Sequence, residues 1–200
     1  MDIILATKNK GKVRELERLL ADLDINILPM TDFPEVGHIE ESGETFEENA
    51  LIKAREVAKI TGHIAMADDS GLAVDALDGR PGVYSARYAG LGAGDEANNR
   101  KLIEDLKGVS GDKRSAAFIC CMAVAGPSGK SMTAHGKCEG LIRDVPSGNG
   151  GFGYDPLFYV EDYRCTMAEL SPDVKNQISH RGRAVAELKK RLPAFLDSLT

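Results

Sequence analysis

Ile3-Ile4-Leu5-Ala6-Thr7-Lys8-Asn9-Lys10-Gly11-Lys12-Val13-Arg14-Glu15-Leu16 opens the chain, and its reading decides the fold class. Ile3 to Thr7 has the composition of a short buried strand. Apolar residues then recur at Val13, Leu16, Leu19, Leu20 and Leu23, the spacing of one helix face over Gly11 to Leu23. Strand, polar turn and helix in that order predict an α/β protein. Working outward, Ile25 to Leu28 reads as a second strand. A second helix is predicted from Phe46 to about Ile60, with Phe46, Ala50, Ala54, Val57 and Ala58 along its apolar stripe. Thr45 followed by Glu48 fits a capping box, which sets that start. Ile64 to Ala67 reads as a strand that stops abruptly at Asp68-Asp69-Ser70-Gly71, with Leu72 to Leu77 continuing as extended chain.

The second half changes pattern. Asp95 has the place of an N-cap for a helix reaching about Lys107. Ser115 to Ala125 and Ser131 to Ile142 are strand candidates joined by Pro127-Ser128-Gly129, a hairpin signal. Gly148 to Gly153 leads into Tyr154-Asp155-Pro156 and the apolar Leu157-Phe158-Tyr159-Val160. Ser179 is expected to cap a last helix through Leu192, broken or restarted at Pro193. A hairpin inside the run favours a mixed sheet over a purely parallel one. The expectation is one α/β domain over residues 1–200, with two lobes around a cleft.

Composition narrows the class. The chain has 200 residues, 42% hydrophobic and 28% charged, the balance of an ordinary globular protein. At this length about 70% of the unfolded surface can be buried, so no disulfide or metal staple is needed. No apolar run approaches the roughly 18 residues of a membrane span, and the first residues do not resemble a secretory leader. A cytoplasmic setting is therefore expected. Cys120, Cys121, Cys138 and Cys165 show no Cys-x-x-Cys spacing and read as reduced, structural thiols. A net charge of −6 argues against a sequence-independent grip on DNA or RNA. It leaves room for a small polyanion held locally with a divalent cation.

Four segments carry chemistry. Thr7-Lys8-Asn9-Lys10-Gly11-Lys12 lies between a strand and a helix, where free N–H groups and the helix dipole favour phosphate. Its spacing is not that of a P-loop, and the plain alternative is a solvated, lysine-rich helix start. Asp68 and Asp69 end a strand, the edge where α/β proteins place ligands, and Glu40 and Glu41 precede the second helix. Oxygen ligands of this kind suit Mg²⁺, and a carboxylate beside the metal can take a proton from water. The alternative is that Asp-Asp-Ser-Gly is only a turn. Gly150-Gly151-Phe152-Gly153-Tyr154-Asp155-Pro156 has aromatic rings beside flexible backbone and fits a slot for a planar base, or else a core bulge. Lys175 with Ser179-His180-Arg181-Gly182-Arg183 supplies donors for an anion or a base carbonyl, or is a basic helix surface. Ser70 lacks the Gly-x-Ser-x-Gly elbow of a hydrolase triad, and His63 and His135 fit no metal spacing.

Taken together, these segments form one ordered set. Thr7-x-Asn9-x-x-Lys12, Thr45-Phe46-Glu47-Glu48-Asn49-Ala50-Leu51-Ile52-Lys53-Ala54, Ala67-Asp68-Asp69-Ser70-Gly71-Leu72, Gly82-Val83-Tyr84-Ser85-Ala86-Arg87, Phe152-Gly153-Tyr154-Asp155-Pro156 and Ser179-His180-Arg181-Gly182 closely resemble the inosine triphosphate pyrophosphatase family, in its bacterial dITP/XTP form. Val174, where that family often has an acidic residue, is a small departure beside the expected base pocket. The resemblance implies an elongated mixed sheet with flanking helices, two lobes around a central cleft, and a homodimer. It implies Mg²⁺-dependent hydrolysis of ITP, dITP and XTP to the monophosphate and pyrophosphate. Carried onto this chain, Thr7, Lys8, Asn9, Lys10, Gly11 and Lys12 hold the triphosphate, Glu40 and Asp69 the metal, and Asp69 is the general base. Glu41 stands in reserve as metal ligand. Ser70, Phe152, Gly153, Tyr154, Asp155, Lys175, His180 and Arg181 line the nucleotide. A Maf-like pyrophosphatase of modified pyrimidine nucleotides and a non-hydrolysing purine sensor are the competing readings.

Overall fold

The computed structural model describes residues 1–199. Its elements in chain order are β1 (Asp2–Leu5), α1 (Lys10–Leu20), β2 (Asn26–Pro29), α2 (Phe46–Thr61), β3 (Ile64–Val74), α3 (Gly94–Asp105), β4 (Ser115–Ala125), β5 (Ser131–Ile142), β6 (Phe158–Val160), β7 (Cys165–Thr166), α4 (Pro172–Ile178) and α5 (His180–Asp197). The strands follow the order β2-β1-β3-β4-β5-β6-β7. β1 runs parallel to β2 and β3, with Ile4 opposite both Leu28 and Ala65, whereas β6 is antiparallel to β5 and β7. The sheet is thus mixed, as the internal hairpin led us to expect.

The chain divides into two compact units, one made of Met1–Asp69, Cys120–Gly136 and the residues from Arg181 onward, the other of Ser70–Ile119 and Lys137–His180. In the first unit, strand alternation separates two apolar layers. Ile3 and Leu5 of β1, Met66 of β3 and Cys120, Met122 and Val124 of β4 pack with Leu16 and Leu20 of α1 and Ala184, Val185, Leu188 and Leu192 of α5. The intervening Ile4, Ala6, Ala65, Ala67, Cys121, Ala123 and Ala125 pack instead with Ala50, Ala54, Val57 and Ala58 of α2. Small alanines on both sides let α2 lie close to the sheet. The second unit has its own core, with Leu72, Val74, Leu102, Leu106, Phe118, Ile142, Tyr154, Leu157 and Phe158 among its members.

Several expectations are corrected. β3 does not stop at Ala67 but stays extended through Asp68-Asp69-Ser70-Gly71 to Val74, because both aspartates are buried and paired rather than turned to water. Asp95 is not the cap of α3: Ala93 has that position, and the Asp95 carboxylate accepts from the Gly153 N–H at 2.7 Å. α5 runs on through Pro193, since Leu188, Leu192, Phe195 and Leu196 pack on the core and hold the last turns in place. Ser179 follows a short helix, α4, that the apolar spacing did not reveal. The α2 capping box forms as read, with the Thr45 hydroxyl accepting from the Glu48 N–H. Cys120, Cys121, Cys138 and Cys165 are free thiols. Among the described residues no helix is long and apolar enough to cross a membrane.

Candidate functional site

In the first unit the phosphate-type turn folds around its own asparagine. The Asn9 side chain accepts from the N–H groups of Gly11 at 2.9 Å and Lys12 at 3.2 Å, while the Thr7 hydroxyl accepts from the Asn9 N–H. This cap fixes the start of α1 and leaves Lys8 and Lys10 exposed. Lys12 turns inward and meets Asp68 at 3.0 Å.

The adjacent aspartates of β3 divide between the two faces of the sheet, because successive side chains of a strand point opposite ways. Asp68 shares the parity of Met66 and faces the α1 and α5 layer. There its Oδ2 receives Lys12 and the Arg181 guanidinium, whose Nη2 lies at 2.9 Å. Asp69 shares the parity of Ala67 and faces α2. There it receives Lys53 at 2.8 Å and the Asn49 amide at 3.5 Å, two residues one helical turn apart. Lys53 also reaches Glu41 at 3.3 Å.

Electrostatics distinguish the pair. Burial by itself would raise the Asp68 carboxyl, but Lys12, Arg181 and Lys53 outweigh it and hold the group well below the carboxylate range. Asp69 goes the other way: burial lifts it against the pull of Lys53 and Lys12, and Glu41 adds to the rise. A carboxylate so lifted is a better proton acceptor than one locked in an ion pair. Lys53 is penalised by burial, yet Asp69, Asp68 and Glu41 together push it up and keep it charged. Its ammonium bridges Glu41 and Asp69 just as a small cation would. Glu40, the glutamate favoured by resemblance, is exposed, and its neighbour Glu41 reaches Lys53 beside Asp69.

In the second unit Asp155, Lys175 and Phe152 form one group. Asp155 Oδ2 accepts from the Phe152 N–H at 2.8 Å and from Lys175 at 2.6 Å, and the Lys175 ammonium lies 5.0 Å from the centre of the Phe152 ring. The loop approaches so closely that a Cβ on Gly151, at φ +71°, would sit 2.0 Å from Asp155 Oδ2. His180 stacks on Phe118 with ring centres 4.8 Å apart. Gly153 is engaged on both sides, its N–H by Asp95 and its carbonyl by the Asn99 amide. Ser70 is a half-buried residue of β3. The Tyr154 ring belongs to the core, and its hydroxyl donates to the Ser85 carbonyl at 2.8 Å.

The Ham1 family model matches residues 3–191. This chain belongs to the Ham1 family. A dITP/XTP pyrophosphatase of Geobacter sulfurreducens is 55% identical over 190 residues, which is 95% of this chain and 96% of that one. A dITP/XTP pyrophosphatase of Listeria monocytogenes is 50% identical over 198 residues, covering 99% and 98%. Among solved structures, a HAM1 protein from Coxiella burnetii superposes with a TM-score of 0.88 at 46% identity, over 97% of this chain and 99% of that one. The Ham1 protein of Staphylococcus aureus gives 0.84 at 40% identity, with both chains fully covered.

Within this Ham1 fold, sequence reasoning passed over Asn49, Lys53, Glu15 and Phe118. A signal existed for the first two. They interrupt the apolar stripe of α2 beside Ala50 and Ala54, and polar residues in a buried stripe need partners. Arg181, expected to line the nucleotide, directs its guanidinium at Asp68 and Glu15, both within its own unit.

Proposed function

We propose that this Ham1-family chain hydrolyses deaminated purine nucleoside triphosphates, ITP, dITP and XTP, to the monophosphate and pyrophosphate, removing such nucleotides before they enter DNA or RNA. The observation that carries the reading is the split of Asp68 and Asp69. One carboxylate is tied into the α1 turn through Lys12, and the other is left on the opposite face as a lifted, partly screened base. Water attacks the α-phosphorus, the bond to the bridging oxygen breaks, pyrophosphate leaves, and Asp69 accepts the proton of the attacking water. Lys12, with Lys8 and Lys10 on the exposed turn, balances charge that grows on the departing pyrophosphate.

Among the described residues no cluster of three or more metal-type ligands forms, but two carboxylates, Glu41 and Asp69, meet at the Lys53 ammonium. Mg²⁺ would be held by Asp69 with Glu41, or with Glu40 one residue earlier. When bound it screens the carboxylates from the phosphates and withdraws charge from the phosphorus. In this reading Lys53 keeps the Asp69 carboxylate oriented, and Asn49 fixes its second oxygen.

For the base, the group around Asp155 offers the right chemistry. Phe152 provides a planar face, and Lys175 and His180 provide donors for the 6-oxygen of hypoxanthine or xanthine. Adenine presents an amino group there and leaves such donors unpaired, which a polar site can reject by about 10⁴-fold. A homodimer working in the cytoplasm completes the reading, and sedimentation analysis checks the first part. The deciding experiment is pyrophosphate release with Mg²⁺ from ITP, dITP, XTP, ATP, GTP and dTTP. Preference for the deaminated purines is expected. Preference for dTTP, or binding of ITP with no pyrophosphate released, would overturn the proposal.

A further inference from the structure

We infer that Asp95 and Asn99 of α3 are positioning residues for the base, acting through the backbone of Gly153 to hold the Phe152 ring in place. The inference rests on the reading of Phe152 as the planar face that meets a purine. Asp95 Oδ2 accepts from the Gly153 N–H at 2.7 Å, and the Asn99 amide donates to the Gly153 carbonyl at 3.0 Å. The two side chains are four residues apart on α3 and so share a face. They grip the peptides on either side of Gly153, and the first of these is bonded to the Cα of Phe152.

α3 is a firm post for such a grip. Leu102 is fully buried in the core of the second unit. The Asn98 side chain, also buried, accepts from the Ala89 N–H at 2.8 Å and donates to the Ala86 carbonyl at 3.3 Å. The loop it holds is the opposite. Gly151 and Gly153 have φ of +71° and +64°, and neither has a side chain with which to pack. Between α3 and the loop lies a cavity of about 450 Å³, bordered by Asn99, Ile103, Pro146 and Phe152. Across that gap packing cannot hold the loop, and the two hydrogen bonds set its distance from the helix.

Asp155 fixes Phe152 from within the loop, its Oδ2 accepting from the Phe152 N–H at 2.8 Å and its own N–H donating to the Phe152 carbonyl at 3.3 Å. Asp95 and Asn99 tie that assembly to α3. Asp95 carries a charge, so its bond is the stronger of the two. A ring that drifts from its place stacks less well on the base and carries the 6-oxygen away from its donors. The loss falls on the base and spares the phosphates. Inorganic tripolyphosphate, which has the phosphates and lacks the base, is the control ligand.

Its inhibition constant is measured with KM and kcat for ITP and for ATP, in the wild type and in Asp95→Ala, Asp95→Asn, Asn99→Ala and Glu96→Ala. Glu96 stands in the same first turn of α3 and pairs with Arg100, so its removal takes an equal charge from the helix start and leaves the Gly153 bonds intact. We expect KM for ITP to rise about 10-fold in Asp95→Ala and about 3-fold in Asn99→Ala, with kcat changed less than KM. The ITP-to-ATP ratio of kcat/KM narrows, and the tripolyphosphate constant stays as in the wild type. Asp95→Asn, whose amide oxygen can still accept from the Gly153 N–H, recovers most of the loss, and Glu96→Ala behaves as the wild type. A tripolyphosphate constant that rises in step with KM would overturn the inference, as would equal effects of Glu96→Ala and Asp95→Ala. A lowered Tm with every constant unchanged would assign both residues a purely structural role. Should the wild type release pyrophosphate from no nucleotide, the proposed function falls. Calorimetric dissociation constants for ITP in the same variants then decide, and equal affinity in all of them rules the positioning role out.

Discussion

The two polar groups of this molecule are built on different principles. In the first unit, Lys12, Lys53 and Arg181 interlock with Glu15, Glu41, Asp68 and Asp69, and each carboxylate meets a cation. In the second, the Lys175–Asp155 ion pair sits beside an aromatic ring and a tight glycine loop. On the proposed reading the first group is the one for phosphates and the second the one for a base. A polyanion needs several charges whose balance shifts when it binds, whereas a neutral planar base needs shape and a few fixed donors. Dense networks tolerate the loss of a member by sharing its charge.

The sharpest way to break this comparison is at Asp69. Asp69→Asn should lower turnover of ITP by about 10²- to 10⁴-fold; the amide oxygen still accepts from Lys53, and Tm checks that the variant is folded. Normal turnover by the folded variant would remove Asp69 from the base role. Next in size is Lys175→Met, which takes an ammonium away from the buried Asp155 carboxylate. A loss of about 3–5 kcal/mol is expected in urea unfolding, and adding Asp155→Asn should restore part of it. If Lys175→Met costs no more than Lys53→Met, the distinction drawn between the two groups is wrong.

A third test uses acid. Asp68 titrates below its unfolded value, so its pairing contributes fully above about pH 4 and is lost as pH falls through the lower, folded value. Tm of the wild type should therefore decline below about pH 4, whereas Asp68→Asn should begin lower and decline less over the same range. The smallest effect is expected at Thr45→Ala, outside both groups. Loss of the α2 cap should cost about 1 kcal/mol in unfolding with little change in KM for ITP.

Where helices and strands lie was largely legible, since apolar spacing and caps are local properties. The bounds of β4 and β5 coincide with their apolar runs, and α2 begins at its capping box. β3 was read too short for a non-local reason. Asp-Asp-Ser-Gly has turn composition, and what keeps it extended includes an arginine 113 residues away in the chain. α4 was missed although Ser171 before Pro172 is a helix-start signal, because seven residues carry too little apolar period. For the site, the residue types were readable while their pairings were not. Strand parity could have assigned Asp68 and Asp69 to opposite faces, but only packed helices reveal which cation waits on each.

Gly151 sets a boundary for anyone wishing to re-engineer nucleotide preference. Any methyl group at that codon would collide with the carboxylate that anchors the loop, and the left-handed backbone there would resist it too. A saturation library at position 151 should return only the parental residue among its active clones, which leaves Phe152 and Val174 as the places where new substrate tolerance is worth seeking.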